Sequence, residues 1–277
     1  MVPVLALGGA LCWGVGDFFG GLAARRLAVL AVIVVSQTIG LAGLVFWVWL
    51  ADEPFPGVAK LLPATGAGLA VLIGVAALYR GLAVGAMGIV APISAASPVV
   101  PLAVDAAHGT VPGILQWLGI GLILTGIAAL SREPSASGSR LVASGAGLAI
   151  VAALGFGLFV VGIDAGADES AAWAVVAARV AAISIAVIAA LVTSTSLRSP
   201  MGLLPLLAAV GLVDTLANVL VATATTHGAA GIVAVLSALY PIVTVVLARF
   251  VLNERLSTTK RVGGGVALVG AALVAAG

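Results

Sequence analysis

Apolar residues fill this chain in ten stretches: 3–24, 28–50, 62–82, 85–106, 113–130, 141–163, 171–192, 203–225, 228–250 and 261–276. Short polar or Pro/Gly breaks separate them, the tightest at Arg80–Gly85 and His227–Gly228. A membrane-spanning helix needs about 20 predominantly apolar residues, so each stretch predicts one span. The pattern also repeats. Residues 85–100, GAMGIVAPISAASPVV, return as 228–243, GAAGIVAVLSALYPIV, with ten of the sixteen positions identical at an offset of 143. Gly119, Gly121 and Gly126 in span 5 match Gly263, Gly265 and Gly270 in span 10 at an offset of 144. Gly14-Val-Gly16 in span 1 matches Gly155-Phe-Gly157 in span 6 at 141.

The one low-complexity polar segment, SREPSASGSR at 131–140, reads as a flexible linker between a first repeat, 1–130, and a second, 141–277. Five spans per copy is an odd number, so the second copy enters the membrane upside down. The predicted fold is all-α integral membrane, ten transmembrane helices as two inverted five-helix repeats. Duplicated halves of this kind can rock about a shared central site, which is the arrangement of a carrier.

Composition strengthens this reading. The chain is 62% hydrophobic and 8% charged, against about 25% charged residues in soluble domains. Its 36 glycines suit helices that pack closely through small side chains. The net charge of +2 is no nucleic-acid signal, because the Lys and Arg residues occupy short loops between apolar runs. Cys12 is the only cysteine, which excludes an intrachain disulfide and a multi-cysteine metal site. The first apolar run has no basic residue ahead of it and spans a full bilayer, unlike a cleavable signal peptide. Odd-numbered loops hold Arg25, Arg26, Arg80, Arg132, Arg140, Arg198, Arg249, Arg255, Lys260 and Arg261; even-numbered loops hold Lys60 alone. The positive-inside rule then puts the odd loops in the cytoplasm and both termini outside, in a multi-pass protein of the cytoplasmic (inner) membrane.

Trp13-Gly14 followed by Phe18, the Tyr79-Arg80-Gly81-Leu82 turn, Ala238-Leu239-Tyr240-Pro241, then Leu252-Asn253-Glu254-Arg255-Leu256 and a glycine-rich last span form an ordered set. The set resembles the EamA-type, ten-helix branch of the drug/metabolite transporter superfamily, over essentially the whole chain. The chain departs from that pattern at Thr110, which stands at the first-half equivalent of Glu254, and at Asp17, where a small polar residue is commoner. The resemblance implies secondary transport, usually efflux, of a small metabolite, amino acid or drug. It implies a cavity lined mainly by spans 1, 3, 4, 6, 8 and 9. It also implies both termini in the cytoplasm, opposite to the charge count.

Ionisable groups at mid-membrane depth cost about 2.5–3.5 kcal/mol each on insertion scales, so each needs a partner or a wet cavity. Asp17, Arg179 and Asp214 lie well inside spans 1, 7 and 8. Gln37 stands 142 residues before Arg179, at the equivalent depth, and Asn218 follows Asp214 by one helical turn. Asp17 and Asp214 are candidates for a proton or a substrate cation. Arg179 is a candidate for a substrate carboxylate or for the counter-ion of Asp214. The plainer alternatives are a permanent Arg179–Asp214 pair and an interfacial Asp17 paired with Arg25 or Arg26. Trp13, Tyr79 and Tyr240 are the aromatic candidates, with packing or interfacial anchoring as their alternatives. Trp47, Trp49, Trp117 and Trp173 fall near span ends, as belt residues do. Pro92, Pro98 and Pro241, with Gly88 and Gly231, mark spans 4 and 9 as the bending elements.

No G-x-S-x-G, H-E-x-x-H, P-loop or complete G-x-G-x-x-G is present, so the chain is not read as an enzyme, and no metal or cofactor is expected. His108 and His227 stand at span ends and read as loop residues. The absence of a nucleotide motif points to a proton or solute gradient, or to facilitated diffusion. The expected partners are a small-molecule substrate, a coupling proton and the lipid bilayer; monomer and homodimer both remain open. The rival classes are an integral membrane enzyme acting on a lipid-linked substrate and a structural subunit.

Overall fold

The computed structural model of the chain describes residues 1–84, 90, 93–131, 139–252 and 257–277, without the side chains of 79, 82–84, 131 and 139–144. The described residues form helices and loops and contain no strand. In chain order the helices are α1 Val2–Ala24, α2 Val29–Leu50, α3 Val58–Val84, α4 Val99–Ala107, α5 Ile114–Ser131, α6 Ser139–Ala167, α7 Ala171–Val192, α8 Leu204–Thr225, α9 Ala230–Ser237, α10 Tyr240–Val251 and α11 Thr258–Ala276. A 3₁₀ turn, Met201–Leu203, leads into α8.

Side-chain caps open two of these helices. The Ser170 hydroxyl accepts from the Trp173 amide at 3.2 Å to open α7, and the Ser257 hydroxyl accepts from the Lys260 amide at 3.3 Å to open α11. Prolines open α1, α8 and α10 within their first turns, where a missing amide donor costs nothing.

Among the described residues, eight helical stretches are long and apolar enough to cross a bilayer, and Ile114–Leu130 is a shorter ninth. The expectation of ten is therefore not confirmed span for span. Span 9 is one apolar stretch, Ala230–Val251, but two helices. Pro241 has no amide to continue the ladder, so the chain turns tightly at Ala238–Leu239 and the Ile242 amide reaches back only three residues, to Leu239 at 3.0 Å. Span 4 is represented by α4 and by an equivalent turn, in which the Val99 amide bonds to Ala96 at 3.0 Å. Residues 85–89 and 91–92 lie outside the description, Gly88 and Pro92 among them. The linker is shorter than expected, since Ser139 and Arg140 already belong to α6; residues 132–138 lie outside the description.

Two sets of contacts repeat across the halves. A side chain at Gly14 would meet the Tyr240 carbonyl at 2.6 Å, and one at Gly157 would meet the Ser97 carbonyl at 2.6 Å. Likewise the Ser237 hydroxyl lies 3.4 Å from the Ala6 carbonyl, and the Ser94 hydroxyl 3.5 Å from that of Ala149. All these pairs are related by 143. This corrects the register read from the glycine pairs: Gly14 is the counterpart of Gly157, not of Gly155. The sequence match at 141 is a coincidence of two G-x-G triplets, because packing against the turn before α4 or α10 decides which glycine has no room for a side chain.

The interior is built largely from alanine, valine and glycine, with α1 against α8, α3 against α6, and α5 against α11. In the α5–α11 seam, side chains at Gly119 and Gly126 would meet the Gly270 and Gly263 carbonyls, each at 2.5 Å. The two helices cross there with backbones in contact. Outward surfaces are apolar: Val4, Leu11, Phe46, Trp49, Leu118, Ile188 and Phe250 are all exposed.

Candidate functional site

Four polar side chains from three helices converge between α2, α7 and α8. The Arg179 Nη2 donates to Asp214 Oδ2 at 2.7 Å, and its Nη1 donates to Gln37 Oε1. The Gln37 Nε2 donates to the same Asp214 oxygen at 3.1 Å. Asn218 Nδ2 donates to the Asp214 carbonyl at 2.7 Å and lies 3.4 Å from Oδ2. Helical spacing explains the last pair, since residues four apart share a face. The rest is tertiary: Gln37 and Arg179 are 142 residues apart.

Burial separates the partners. The Arg179 side chain is 6% exposed and that of Asp214 is 23% exposed. Arg179 Nε is buried without a partner. The guanidinium is therefore committed to this cluster, whereas the carboxylate retains an open edge.

Asp17 stands on the neighbouring helix. A side chain at Gly16 would lie 3.7 Å from the Asp214 Cβ, so α1 and α8 are in contact beside both carboxylates. The inward stripe of α1 runs Ala6, Ala10, Trp13, Asp17, at helical spacing. Ala6 and Ala10 are buried at 0% and 2% exposure, Trp13 is half-buried, and Asp17 and Gly21 are exposed. The lipid-facing residues Val4, Leu7 and Leu11 occupy a different side. The stripe is thus covered near the N-terminus of α1, where α9 packs on it, and uncovered beyond the break before α10. Among the described residues no ion pair joins Asp17 to Arg25 or Arg26.

Trp13 sits at that break. Its ring meets Tyr240 edge to face, centroids 6.4 Å apart at 80°. Thr244 donates to the Gly14 carbonyl at 3.1 Å, fixing α10 against α1. Pro98 and Pro241 stand at the entries of α4 and α10. The Tyr79 side chain lies outside the description, and so does Glu254.

Along the positions of α6 equivalent to the α1 stripe, Ala153 and Phe156 are half-buried and the two ends are closed. Ala149 is 0% exposed, and Val160, the counterpart of Asp17 at 143, is 8% exposed. The two repeats therefore present different faces at matching sites.

Sequence reasoning missed Asp105. Its Oδ2 accepts from the Gly231 amide at 2.7 Å, so the end of α4 caps the start of α9 across the repeat boundary. No spacing rule joins residues 126 apart. Ser94 and Ser237 were visible as identities in the repeat but carried no assigned role; both are buried. His108 ends α4, and His227 Nδ1 lies 2.8 Å from the Thr223 carbonyl. Among the described residues no group of three metal-ligating side chains forms.

The model of the EamA-like transporter family matches residues 1–132 and again 143–276. A solved crystal structure, titled only as that of a protein, is 17% identical, with a TM-score of 0.74 over 98% of this chain and 95% of its own. At that identity the likeness is one of fold. No curated protein matches the chain.

Proposed function

Since the chain belongs to the EamA-like transporter family, a family of membrane transporters of small substrates, we propose that it is a gradient-driven carrier working by alternating access. Its two copies sit inverted in the cytoplasmic membrane. Its substrate chamber lies between them, bordered by α1, α8 and the α9–α10 break.

One observation carries the proposal. Asp17 is exposed on the inward stripe of α1, while its counterpart Val160 on α6 is buried. A passive bundle with two similar halves has no reason to leave one matching site open and close the other. A carrier caught in one state does, because only one side of its central site is accessible at a time. The uncovered side is the one where α1 ends at Arg25 and Arg26, and the positive-inside rule makes that side cytoplasmic. On this reading the arrangement is that of an inward-open carrier, the state in which an exporter loads. Of the two roles open to Arg179, counter-ion of Asp214 fits its burial, since a substrate anion would have to displace an existing carboxylate.

The test is counterflow in proteoliposomes against amino acids, polyamines and cationic dyes, with Asp214→Asn as the control. We expect at least one solute to exchange faster than in empty liposomes, and Asp214→Asn to slow it tenfold or more. If no solute exchanges and proton flux is unchanged by the variant, the carrier reading fails.

A further inference from the structure

Resting on the carrier reading, we propose that the chamber takes a small organic monocation, an amine whose ammonium meets the Asp17 carboxylate and whose apolar body lies against Trp13 and Tyr240.

The charge balance of the chamber is the first support. Among the described residues Asp17, Asp214 and Arg179 are the charged groups that α1, α7 and α8 bring together here, and Arg179 is committed to Asp214 at 2.7 Å with 6% of its side chain exposed. That leaves the Asp17 carboxyl to be neutralised by a proton or by a substrate cation. Among the described residues Asp17 has no hydrogen-bond or ion-pair partner. A carboxyl at this depth requires a proton, a counter-charge or water, and a substrate cation supplies the counter-charge. A single carboxyl suits a monocation better than a polyamine.

The second support is independent of charge. Trp13 precedes Asp17 by one helical turn on the same inward stripe, and its edge-to-face contact with Tyr240 leaves an aromatic wall where α9 gives way to α10. Ammonium groups are attracted to indole and phenol faces, by about 0.5–2 kcal/mol depending on desolvation. A carboxylate beside an aromatic wall is thus a site for a group both charged and partly apolar. It offers nothing to a carboxylate or phosphate, which would face Asp17 and Asp214 together.

The third support is position. The aromatic pair lies at the Pro241 break, the point where the covered part of the α1 stripe becomes uncovered. A ligand bound there touches both α1 and α10 and favours one arrangement of the two over another. A substrate needs such differential contact to drive a carrier between states.

The experiment is a binding titration on the purified full-length chain, read as a thermal shift. It compares 2-phenylethylammonium with its neutral isostere 2-phenylethanol and the anion 3-phenylpropionate. We expect saturable stabilisation by the ammonium only. Asp17→Asn should weaken it at least tenfold, Asp17→Glu should retain most of it, and Trp13→Leu should weaken it more than Trp13→Phe. Each variant is first checked for an unchanged elution profile and unliganded melting point. If any variant fails that check, the three-ligand comparison on wild type still decides the charge preference. Equal binding of the alcohol or the anion, or Asp17→Asn within twofold of wild type, overturns the proposal. The two readings fail separately. Counterflow of an anion or neutral solute with no ammonium binding would leave the carrier and remove the cation site. Ammonium binding lost in Asp17→Asn, with no solute exchanged, would leave the site and remove the carrier.

Discussion

Replacing Asp214 by leucine strands the Arg179 guanidinium, 6% exposed, with Gln37 as its only remaining side-chain partner among the described residues. Breaking a buried pair by removing one partner costs about 3–5 kcal/mol, mostly the penalty on the charge left behind. Asp214 is 23% exposed, so water already screens part of the interaction, and the lower end, about 3 kcal/mol, applies. The reverse change, Arg179→Leu, leaves a carboxylate that keeps Gln37, Asn218 and its open edge; about 1–2 kcal/mol is expected. The double leucine variant removes both charges, and replacing a buried pair by apolar residues is often neutral. The cycle should therefore close with a coupling of about 4–5 kcal/mol, far outside the roughly 0.5 kcal/mol within which independent sites add. The assay is thermal unfolding of the purified variants in one detergent, where Asp214→Leu should melt roughly 6 °C or more below wild type. Additivity of the two single changes would refute the claim that Arg179 and Asp214 depend on one another. Counterflow on the double variant then separates scaffold from site. A mere helix lock predicts retained exchange, whereas our reading predicts its loss, because the open edge of Asp214 is gone.

Two further outcomes follow from packing. Gly270→Leu should abolish most folded protein, since the new side chain would start 2.6 Å from the Gly119 carbonyl, while Gly265→Leu, with nothing within 4 Å, should express normally; equal yields by size-exclusion would contradict the α5–α11 seam. Asp105→Ala removes the acceptor held 2.7 Å from the Gly231 amide and should cost about 1–2 kcal/mol of thermal stability, with Asp105→Asn intermediate because its amide oxygen still accepts.

Much of this protein was legible one residue at a time. Apolar runs of bilayer length fix a multi-pass helical membrane protein, because lipid leaves no other way to satisfy the backbone. The GAMGIVAPISAASPVV repeat fixes two copies of one unit, and the ordered motifs led to the family that the whole-chain match establishes. Asp17, Arg179 and Asp214 stood out because charges at mid-span depth are costly. The sequence could not decide how those charges sort themselves. Gln37 joins Arg179 and Asp214 only through the packing of α2 on α7 and α8, and the side of α1 that stays uncovered depends on where α9 ends. The repeat register at Gly14 shows the same limit, since two G-x-G triplets look alike until the Tyr240 carbonyl lies against one of them. Hydrophobicity is a property of each residue and survives in the string. Partnership across 126 or 142 residues is a property of helix crossings, and those exist only once the bundle has closed.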